Sequence, residues 1–236
     1  MRRGKFSNTT NCNEKSCAVN TMINPIDPTI ISRAIDYGTA TLHEAMGRKG
    51  ALPHHIKPIS SRTKLAGPAV TVNSPPMDNL MLHQALYVAE PGTVLVVEVN
   101  RGYEGGYWGE IMTIAAQQRK IAGLVIDGCV RDADLIEQLG FPVFSRGLSV
   151  RGTDKQGGGH INSPIDVGDI TIHPGDLVVG DRDGVVVVPA GEIASTLGAA
   201  QKREAKEAQT KKDLLAGKST LEIYAWPPAK SRVNET

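Results

Sequence analysis

An arginine and an aspartate, Arg131 and Asp132, stand side by side directly after an apolar run that is typical of a strand. A fixed guanidinium can bind a carboxylate through two parallel hydrogen bonds. The neighbouring carboxylate can bind a hard divalent cation, whose other ligands are waters and substrate oxygens. Ligands of open α/β sheets usually bind beyond the carboxyl ends of the strands, where this pair falls. From spacing alone, however, an ordinary helix start with Asp132 favoured by the helix dipole is the slightly better interpretation.

A glycine-rich stretch at residues 102–110 precedes a predicted helix and ends in Gly109 and Glu110. Such a loop exposes backbone N–H groups that can bind an anion, but a plain flexible turn explains it equally well. The glycine spacing is wrong for a dinucleotide site, and the Gly-Lys-Ser/Thr of a phosphate-binding loop is missing. Glu110 can also simply complement the dipole of the helix that it begins.

The histidines provide weaker candidates for a site. His54 and His55 are adjacent and so rarely converge on one ion, which favours a surface loop. His83 lies between apolar residues of a predicted helix, a pattern that indicates a buried histidine with satisfied hydrogen bonds. The three glycines before His160 predict a plain loop rather than a mobile lid.

The composition limits the classes of partner. The 236 residues include 26 basic and 25 acidic side chains, a formal charge of +1, which offers no broad field for nucleic acid or an anionic membrane. We therefore expect a small-molecule partner, no nucleic acid and no membrane. Three cysteines argue against a disulfide framework and favour the cytoplasm. No apolar run is long enough to span a bilayer, and the basic start lacks the apolar stretch of a secretory signal.

Apolar strands alternate with helices, which predicts an α/β fold with buried strands. Turn signals at residues 174–176 and 181–184 predict antiparallel hairpins within 165–189. The predicted helices cover 27–46, with a second short helix at 41–46, then 79–89, 109–120, 134–139 and 190–215, and the predicted strands cover 65–72, 93–97, 121–126 and 141–144. No linker divides the chain, so we expect a disordered leader at 1–24, one domain at 25–226 and a flexible tail at 227–236.

Three blocks of the sequence together resemble a known family. They are Gly-Glu-Ile-Met at 109–112, the run at 122–132 that ends in Gly-Cys-Val-Arg-Asp, and Pro-Gly-Asp-Leu-Val-Val-Gly-Asp at 174–181 followed by Gly-Val-Val at 184–186. In this order they resemble the 4-hydroxy-4-methyl-2-oxoglutarate / 4-carboxy-4-hydroxy-2-oxoadipate aldolase family, which shares its fold with the regulator of ribonuclease activity A. The similarity covers about residues 27–221.

The resemblance implies roles for individual residues. Asp132 matches the family's metal-ligating aspartate, for Mg²⁺ or Mn²⁺, and Arg131 matches the arginine that binds substrate and stabilises the enolate. The loop that holds the pyruvyl part through backbone amides corresponds to Gly109, Glu110, Ile111 and Met112. Family members can carry Asp where Glu110 stands, and the resemblance implies that Glu110 contacts a metal-bound water.

The resemblance also implies an assembly that completes the site. A glutamate from the C-terminal helix of a neighbouring subunit is expected there; Glu207 is our choice, with Glu204 as the alternative. The family forms homotrimers or homohexamers, in a layered α/β sandwich related to the swivelling phosphohistidine domains.

The activity that the resemblance implies is a retro-aldol cleavage without a Schiff base. It yields pyruvate and a second oxo acid from the hydroxy-oxo acid substrate, and oxaloacetate decarboxylation is expected as a side activity because it passes through the same enolate. The alternative is a non-catalytic binding protein that regulates a ribonuclease, as some relatives with this fold do. Inhibition through a protein surface needs neither the Arg131–Asp132 pair nor the loop with Glu110, so these residues favour the enzyme.

Overall fold

The structure is a computed structural model that describes residues 23–228. Most of the predicted leader at 1–24 and most of the predicted tail at 227–236 lie outside the described residues. Within them the strands are β1 Lys57–Pro58, β2 Leu65–Asn73, β3 Val94–Glu98, β4 Gly123–Val130, β5 Val143–Leu148, β6 His160–Ile161, β7 Ile165–Val167, β8 Ile170–Ile172, β9 Leu177–Asp181 and β10 Gly184–Val188. The α-helices are α1 Pro28–Ala45, α2 Leu80–Val88, α3 Glu110–Gln118, α4 Ala133–Leu139, α5 Ile193–Leu215 and α6 Thr220–Ile223, and a 3₁₀ turn covers Ala190–Glu192.

The strands form a mixed sheet in the order β1-β5-β4-β3-β2-β9-β10, with β6 paired to β2. The middle strands β2, β3, β4 and β5 are parallel, and α2, α3 and α4 connect them in turn. Strands β9 and β10 continue the sheet as an antiparallel hairpin, and β7 and β8 form a separate hairpin. The predicted α/β fold and the hairpin at the predicted turn 181–184 are therefore confirmed. The hairpin predicted at the turn 174–176 is wrong, because this turn joins β8 to β9, which do not pair with each other, and β8 pairs with β7 instead. The likeness to phosphohistidine domains stays a prediction.

The two ends of the strand order approach each other, so the sheet is a nearly closed barrel. The Lys57 ammonium on β1 donates to the Asp183 carbonyl at the β9–β10 turn, and Ala51 bridges to Val186 on β10. One apolar cluster fills the inside, where Val96 and Phe144 are fully buried. A second lies between the parallel strands and α2 to α4, and a third lies under α1 and α5. Since the parallel strands are covered on both faces, their sequences are continuous Val, Ile and Leu runs.

Three elements differ from their predicted bounds for reasons visible in the structure. The strand predicted at 141–144 is β5 at Val143–Leu148, because it pairs with β4 as far as Val130. Helix α1 is interrupted at Gly38 (φ 73°, ψ 168°), and its second half begins near Thr39 rather than at 41. The Asp181 carboxylate accepts the Thr39 N–H at 2.8 Å and so caps this second half, a long-range contact that no local pattern shows. Strand β4 continues past 126 to Val130 through a register shift between Ile126 and Cys129. This extension carries the chain directly to Arg131.

Across residues 23–228, no helix combines the length and the apolar composition that crossing a bilayer requires.

The packing of the barrel interior predicts opposite effects of two glycine-to-alanine substitutions on the free energy of unfolding. In Gly180→Ala the new methyl group would lie 2.8 Å from Cζ of the fully buried Phe144 ring. We expect this overpacking to lower the free energy of unfolding by roughly 1–3 kcal/mol. Gly198→Ala in α5 is the matched control, because its methyl group meets no atom within 4 Å, and it should stabilise the protein by about 0.5–1 kcal/mol. Urea denaturation measures both; equal stability of the two variants would contradict the packing described here.

Candidate active site

The carboxylate of Asp132 bonds to a neighbouring helix instead of capping its own. Asp132 precedes α4 in a left-handed conformation (φ 58°, ψ 37°), and its side chain makes no hydrogen bond to the α4 N-terminus. Its Oδ2 accepts the Glu110 N–H at the start of α3, at 3.1 Å, and lies 3.8 Å from Nε of Arg131. A left-handed conformation costs a non-glycine residue free energy, and such residues cluster at functional sites. The arrangement therefore directs one carboxylate toward the first turn of α3.

Gly109 makes this close approach sterically feasible. Its backbone is extended (φ −155°, ψ −167°), so its conformation alone is open to any residue. A Cβ atom at this position would collide with Oδ2 of Asp132 and would lie 3.2 Å from Cγ of Arg131. The space between α3 and the Arg131–Asp132 pair thus admits no side chain at 109.

The segment before Gly109 is fixed to the end of β4 by backbone hydrogen bonds. The Tyr107 N–H donates to the Cys129 carbonyl at 3.0 Å, and the Arg131 N–H donates to the Trp108 carbonyl at 2.8 Å. The Trp108 indole N–H donates to Oγ1 of Thr113 in α3 at 2.8 Å. These contacts link the loop, β4 and α3 into one rigid unit.

Both aromatic rings of this segment are fully buried in the core. Trp108 stacks on Phe141 with ring centroids 6.1 Å apart, and the Tyr107 hydroxyl accepts the Met77 N–H and donates to the Gly102 carbonyl, each at 2.7 Å. The glycine-rich stretch is therefore an anchored segment. Its first part, at 103–104, is an exposed or half-buried turn, and anion binding by its N–H groups stays a prediction.

Two backbone donors and one cation face the space beside Asp132. The first turn of a helix leaves its N–H groups without intrahelical acceptors, which applies to Ile111 and Met112 in α3. The Ile111 side chain is 75% exposed, whereas Met112 is buried. The Arg131 guanidinium is half-exposed, and Asp132 is its only acidic neighbour within 4 Å in the described part of the chain. An anion placed here would meet N–H groups, the positive end of α3 and a guanidinium together.

These groups line a cavity of about 280 Å³ that also contains side chains the sequence did not single out as a site. The additional polar side chains are Asn79, His83, Thr153 and Lys155. The prediction that His83 is buried and satisfied is wrong, because it is half-buried and lines the cavity. Asn79 and His83 are four residues apart and so share one face of α2, a spacing that could have linked them. Lys155 lies in an irregular loop with no such signal.

The charges around the cavity are mostly positive. Burial lowers the pKa of His83 below its usual value, and the nearby Lys155 ammonium lowers it further. The imidazole is therefore neutral at neutral pH and offers hydrogen bonds rather than charge. Asn79 is buried and donates to the Tyr107 carbonyl at 2.8 Å, while its Oδ1 has no hydrogen-bond partner. The cavity suits a ligand with two separated anionic groups, one at Arg131 and one at Lys155.

The side chains of the three predicted glutamates do not line this cavity in a single chain. Glu110 contributes its backbone N–H to Asp132, but its side chain does not line the cavity. Glu207 lies on α5, 2.9 Å from Nε of Arg203, in a separate cleft of about 260 Å³ beside Glu44. Glu204 is exposed on the same helix. One chain thus brings together Arg131, Asp132 and residues 109–112 but not Glu207, which is predicted to act on a neighbouring subunit.

Comparison with known proteins gives the same family that the sequence blocks resemble. A family model described as RraA-like, Aldolase/RraA, matches residues 39–187. A protein of Halalkalibacterium halodurans named "Putative 4-hydroxy-4-methyl-2-oxoglutarate aldolase" is 36% identical over 193 residues, which are 80% of this chain and 92% of that protein.

Solved structures agree with this result. The crystal structure of an uncharacterized protein from Pseudomonas syringae pv. tomato has a TM-score of 0.73 at 33% identity, covering 85% of this chain and 98% of that one. Streptomyces coelicolor RraAS2, described as an unusual member of the RNase ES inhibitor RraA protein family, has a TM-score of 0.72 at 26% identity, covering 80% and 98%. With a family model matched over more than half of its length and a relative 36% identical over four fifths of it, the chain belongs to the RraA-like (Aldolase/RraA) family.

Proposed function

We propose that the protein is a divalent-metal-dependent aldolase that cleaves 4-hydroxy-4-methyl-2-oxoglutarate or 4-carboxy-4-hydroxy-2-oxoadipate into pyruvate and a second oxo acid. The observation that carries the proposal is the Asp132 carboxylate held against the first turn of α3, beside Arg131 and the N–H groups of Ile111 and Met112. Relatives that carry the name "Putative 4-hydroxy-4-methyl-2-oxoglutarate aldolase" support it.

The residues fit Mg²⁺ or Mn²⁺ bound by a single carboxylate. Residues 23–228 hold no group of three or more His, Cys, Asp or Glu side chains that could bind a metal ion. Mg²⁺ often keeps several waters and binds proteins through one or two carboxylates, and Asp132 is a partly exposed carboxylate whose Oδ2 accepts one backbone N–H. Such an ion would supply Lewis-acid stabilisation of negative charge on the substrate oxygens.

The chain's own groups would bind and orient the pyruvyl end of the substrate. The N–H groups of Ile111 and Met112 can donate to its carboxylate at the positive end of α3. The Arg131 guanidinium lies beside Gly109 and can donate to the oxygen that gains charge in the reaction. Because the segment at 106–109 is anchored to β4 and the core, these donors need little reorganisation when the substrate binds.

The bond changes balance without an added redox partner. The 4-hydroxyl gives its proton to a water molecule, the C3–C4 bond breaks, and C4 becomes the carbonyl of the second oxo acid. The electron pair of the broken bond forms the enolate of pyruvate, and the protonated water returns a proton to C3, which completes the product. Arg131 stabilises the enolate as its charge develops, which accelerates the step because this interaction strengthens in the transition state. Oxaloacetate reaches the same enolate by losing carbon dioxide, so we propose its decarboxylation as a side activity.

Lys155 and His83 would bind the part of the substrate that becomes the second oxo acid. They line the same cavity from the loop after β5 and from α2, whereas Ile111 and Met112 belong to α3. An ammonium and a neutral imidazole can donate to the additional carboxylates that both proposed substrates carry.

We also propose that the site is completed in a homotrimer or homohexamer. Next to Arg131 and Asp132 a second cleft is lined by Leu148 and Val150, whose side chains are 61% and 93% exposed. Apolar side chains beside a charged site are typical of a surface that a second protein surface covers. Glu207, on an α5 that reaches a neighbouring subunit, would then add its carboxylate to that subunit's site, with Glu204 as the alternative.

The second candidate function is regulation of a ribonuclease by a non-catalytic binding surface. It is supported by the similarity to S. coelicolor RraAS2, which is described as belonging to a ribonuclease-inhibitor family. The anchored Arg131–Asp132 pair and its cavity favour the aldolase, because surface binding needs no such cavity.

Asp132→Asn tests the aldolase most simply. The substitution keeps the side-chain shape but removes the charge that would hold a divalent ion, so we expect pyruvate release to fall by at least 10³-fold. A lactate dehydrogenase-coupled assay with added Mg²⁺ measures it, and chelation of the wild type should have the same effect. The exposed residue Asp183 supplies the control Asp183→Asn, which should retain full activity. Wild-type activity in Asp132→Asn would end the proposal.

Mixed oligomers test the contribution of Glu207. Asp132→Asn and Glu207→Gln subunits are each expected to be inactive alone, because each lacks one half of every shared site. Co-expression with two affinity tags gives mixed oligomers in which some sites combine intact halves. With random mixing, roughly one shared site in four combines an intact Asp132 with an intact Glu207. We therefore expect these oligomers to recover roughly a quarter or more of the wild-type activity. Full activity of Glu207→Gln by itself, together with loss and recovery in the same experiment with Glu204→Gln, would assign the role to Glu204. Loss in a single glutamate variant without recovery in its mixed oligomers would contradict a shared site.

A further inference from the structure

The loop that carries Lys155 into the cavity has few restraints of its own. Residues 152–159 connect the end of β5 to β6 and contain four glycines, of which Gly157 (φ 79°) and Gly158 (φ 106°) adopt left-handed conformations that favour glycine. The loop lacks the strand pairing of the elements around it, apart from a single bridge between Asp154 and Asp78. Its position must therefore depend on a small number of specific contacts.

One buried carboxylate makes the central contact. Asp78 is 4% exposed, and its Oδ1 accepts the Leu80 N–H at 2.9 Å in the first turn of α2. Its Oδ2 accepts the N–H of Gln156, the residue directly after Lys155. Asp78 thus connects the start of α2 to the lysine-bearing loop.

Asp154, the residue before Lys155, is also held by hydrogen bonds. Together with the bonds of Asp78 they form what we call the Asp78 clamp. The Asp154 N–H donates to the Met77 carbonyl at 2.7 Å, and the Asn79 N–H donates to the Asp154 carbonyl at 3.0 Å. The residues before and after Lys155 are therefore both bonded to residues 77–79. Lys155 itself has an exposed side chain that lines the cavity.

The charge of Asp78 strengthens the clamp. Burial by itself raises the pKa of Asp78, but the N–H donors of Leu80, Gln156 and Gly157 and the charge of Lys155 outweigh it, so that the pKa lies below its usual value. Asp78 is therefore ionised at neutral pH, and hydrogen bonds to an ionised acceptor are roughly twice as strong as those between neutral groups.

We propose that Asp78 is the positioning residue for Lys155: its carboxylate fixes the 152–159 loop so that the ammonium meets the distal carboxylate of the substrate. This inference rests on the proposed aldolase function and deepens it, because it assigns specificity for a carboxylate on C4 or beyond to a residue outside the cavity. Asp78 is absent from the cavity wall, so any effect that it has on substrate binding is indirect.

Asp78→Asn is the first test. The amide keeps the shape and one acceptor, but its NH₂ group cannot accept the Gln156 N–H. We expect KM for 4-carboxy-4-hydroxy-2-oxoadipate to rise roughly tenfold while kcat changes less than about twofold, as for lost binding that is shared by ground and transition states. The inhibition constant of pyruvate should not change, because pyruvate occupies only the Arg131 end. A substitution that merely destabilised the protein would not raise KM while leaving the inhibition constant of pyruvate unchanged.

A double-mutant cycle with Lys155→Ala decides whether Asp78 acts through the lysine. Lys155→Ala should raise KM at least as much as Asp78→Asn, and adding Asp78→Asn to it should have no further effect. Independent, additive increases would overturn the inference. Because the Lys155 side chain is exposed, this variant should fold even if Asp78→Asn does not, and an unchanged KM in Lys155→Ala would also overturn it.

Trypsin cleavage after Lys155 gives a readout that needs no activity. We expect cleavage to be at least several-fold faster in Asp78→Asn than in the wild type, because the loop is released. Asp181→Asn is the matched control: Asp181 likewise accepts two backbone N–H groups, from Thr39 at 2.8 Å and Asp183 at 2.9 Å, but lies outside the cavity wall. Equal cleavage of wild type and Asp78→Asn would overturn the clamp. A wild type that cleaves no oxo acid would refute the proposed function, whereas normal activity with additive KM effects would refute only this inference.

Discussion

The site depends on one hydrogen bond between a helix and the segment that follows a strand, from the Glu110 N–H at the start of α3 to the carboxylate of Asp132, two residues after β4. The bond commits Asp132 to the neighbouring helix rather than to α4, and it requires the empty space at Gly109. It also places a negative charge at the positive end of α3, where the helix dipole favours it. Whatever the carboxylate binds is therefore held next to the free N–H groups of Ile111 and Met112.

The surrounding fold keeps that geometry fixed. Trp108 and Tyr107 are buried in the apolar layer between the sheet and its helices, and they hold the segment before Gly109 through ring packing and hydrogen bonds. The parallel strands below are covered on both faces, so the carboxyl end of β4 cannot shift without disturbing two apolar clusters. Donors that are held in place before the substrate arrives stabilise developing charge at little cost in reorganisation.

Much of the fold could be predicted from the sequence because its signals are local. The Val-rich runs mark the parallel strands, the turn residues at 181–184 mark the β9–β10 hairpin, and Asp27 followed by Pro28 marks the start of α1. Local signals do not include contacts between distant residues. The second half of α1 begins where Asp181 caps it, and β4 continues beyond its apolar run because a register shift lets Asp127 and Gly128 remain in the sheet.

The site was likewise predictable only where its residues carry a local signal in the sequence. Arg131, Asp132 and the loop that begins at Gly109 were singled out from the sequence, although spacing alone favoured a structural role for the pair. Lys155 and His83 were not assigned to the site, because they come from an irregular loop and from a helix with an apolar pattern. Their convergence depends on the packing of α2 and on the Asp78 clamp, neither of which leaves a periodic pattern in the sequence.

Amide hydrogen exchange during pyruvate binding tests the central claim most directly. In the free protein the N–H groups of Ile111 and Met112 have no intrahelical acceptor and should exchange rapidly. When saturating pyruvate and Mg²⁺ are added, exchange at these two residues should slow markedly, while exchange in the first turn of α5 should not change. Pyruvate binding, confirmed by calorimetry, without protection at Ile111 and Met112 would contradict the account.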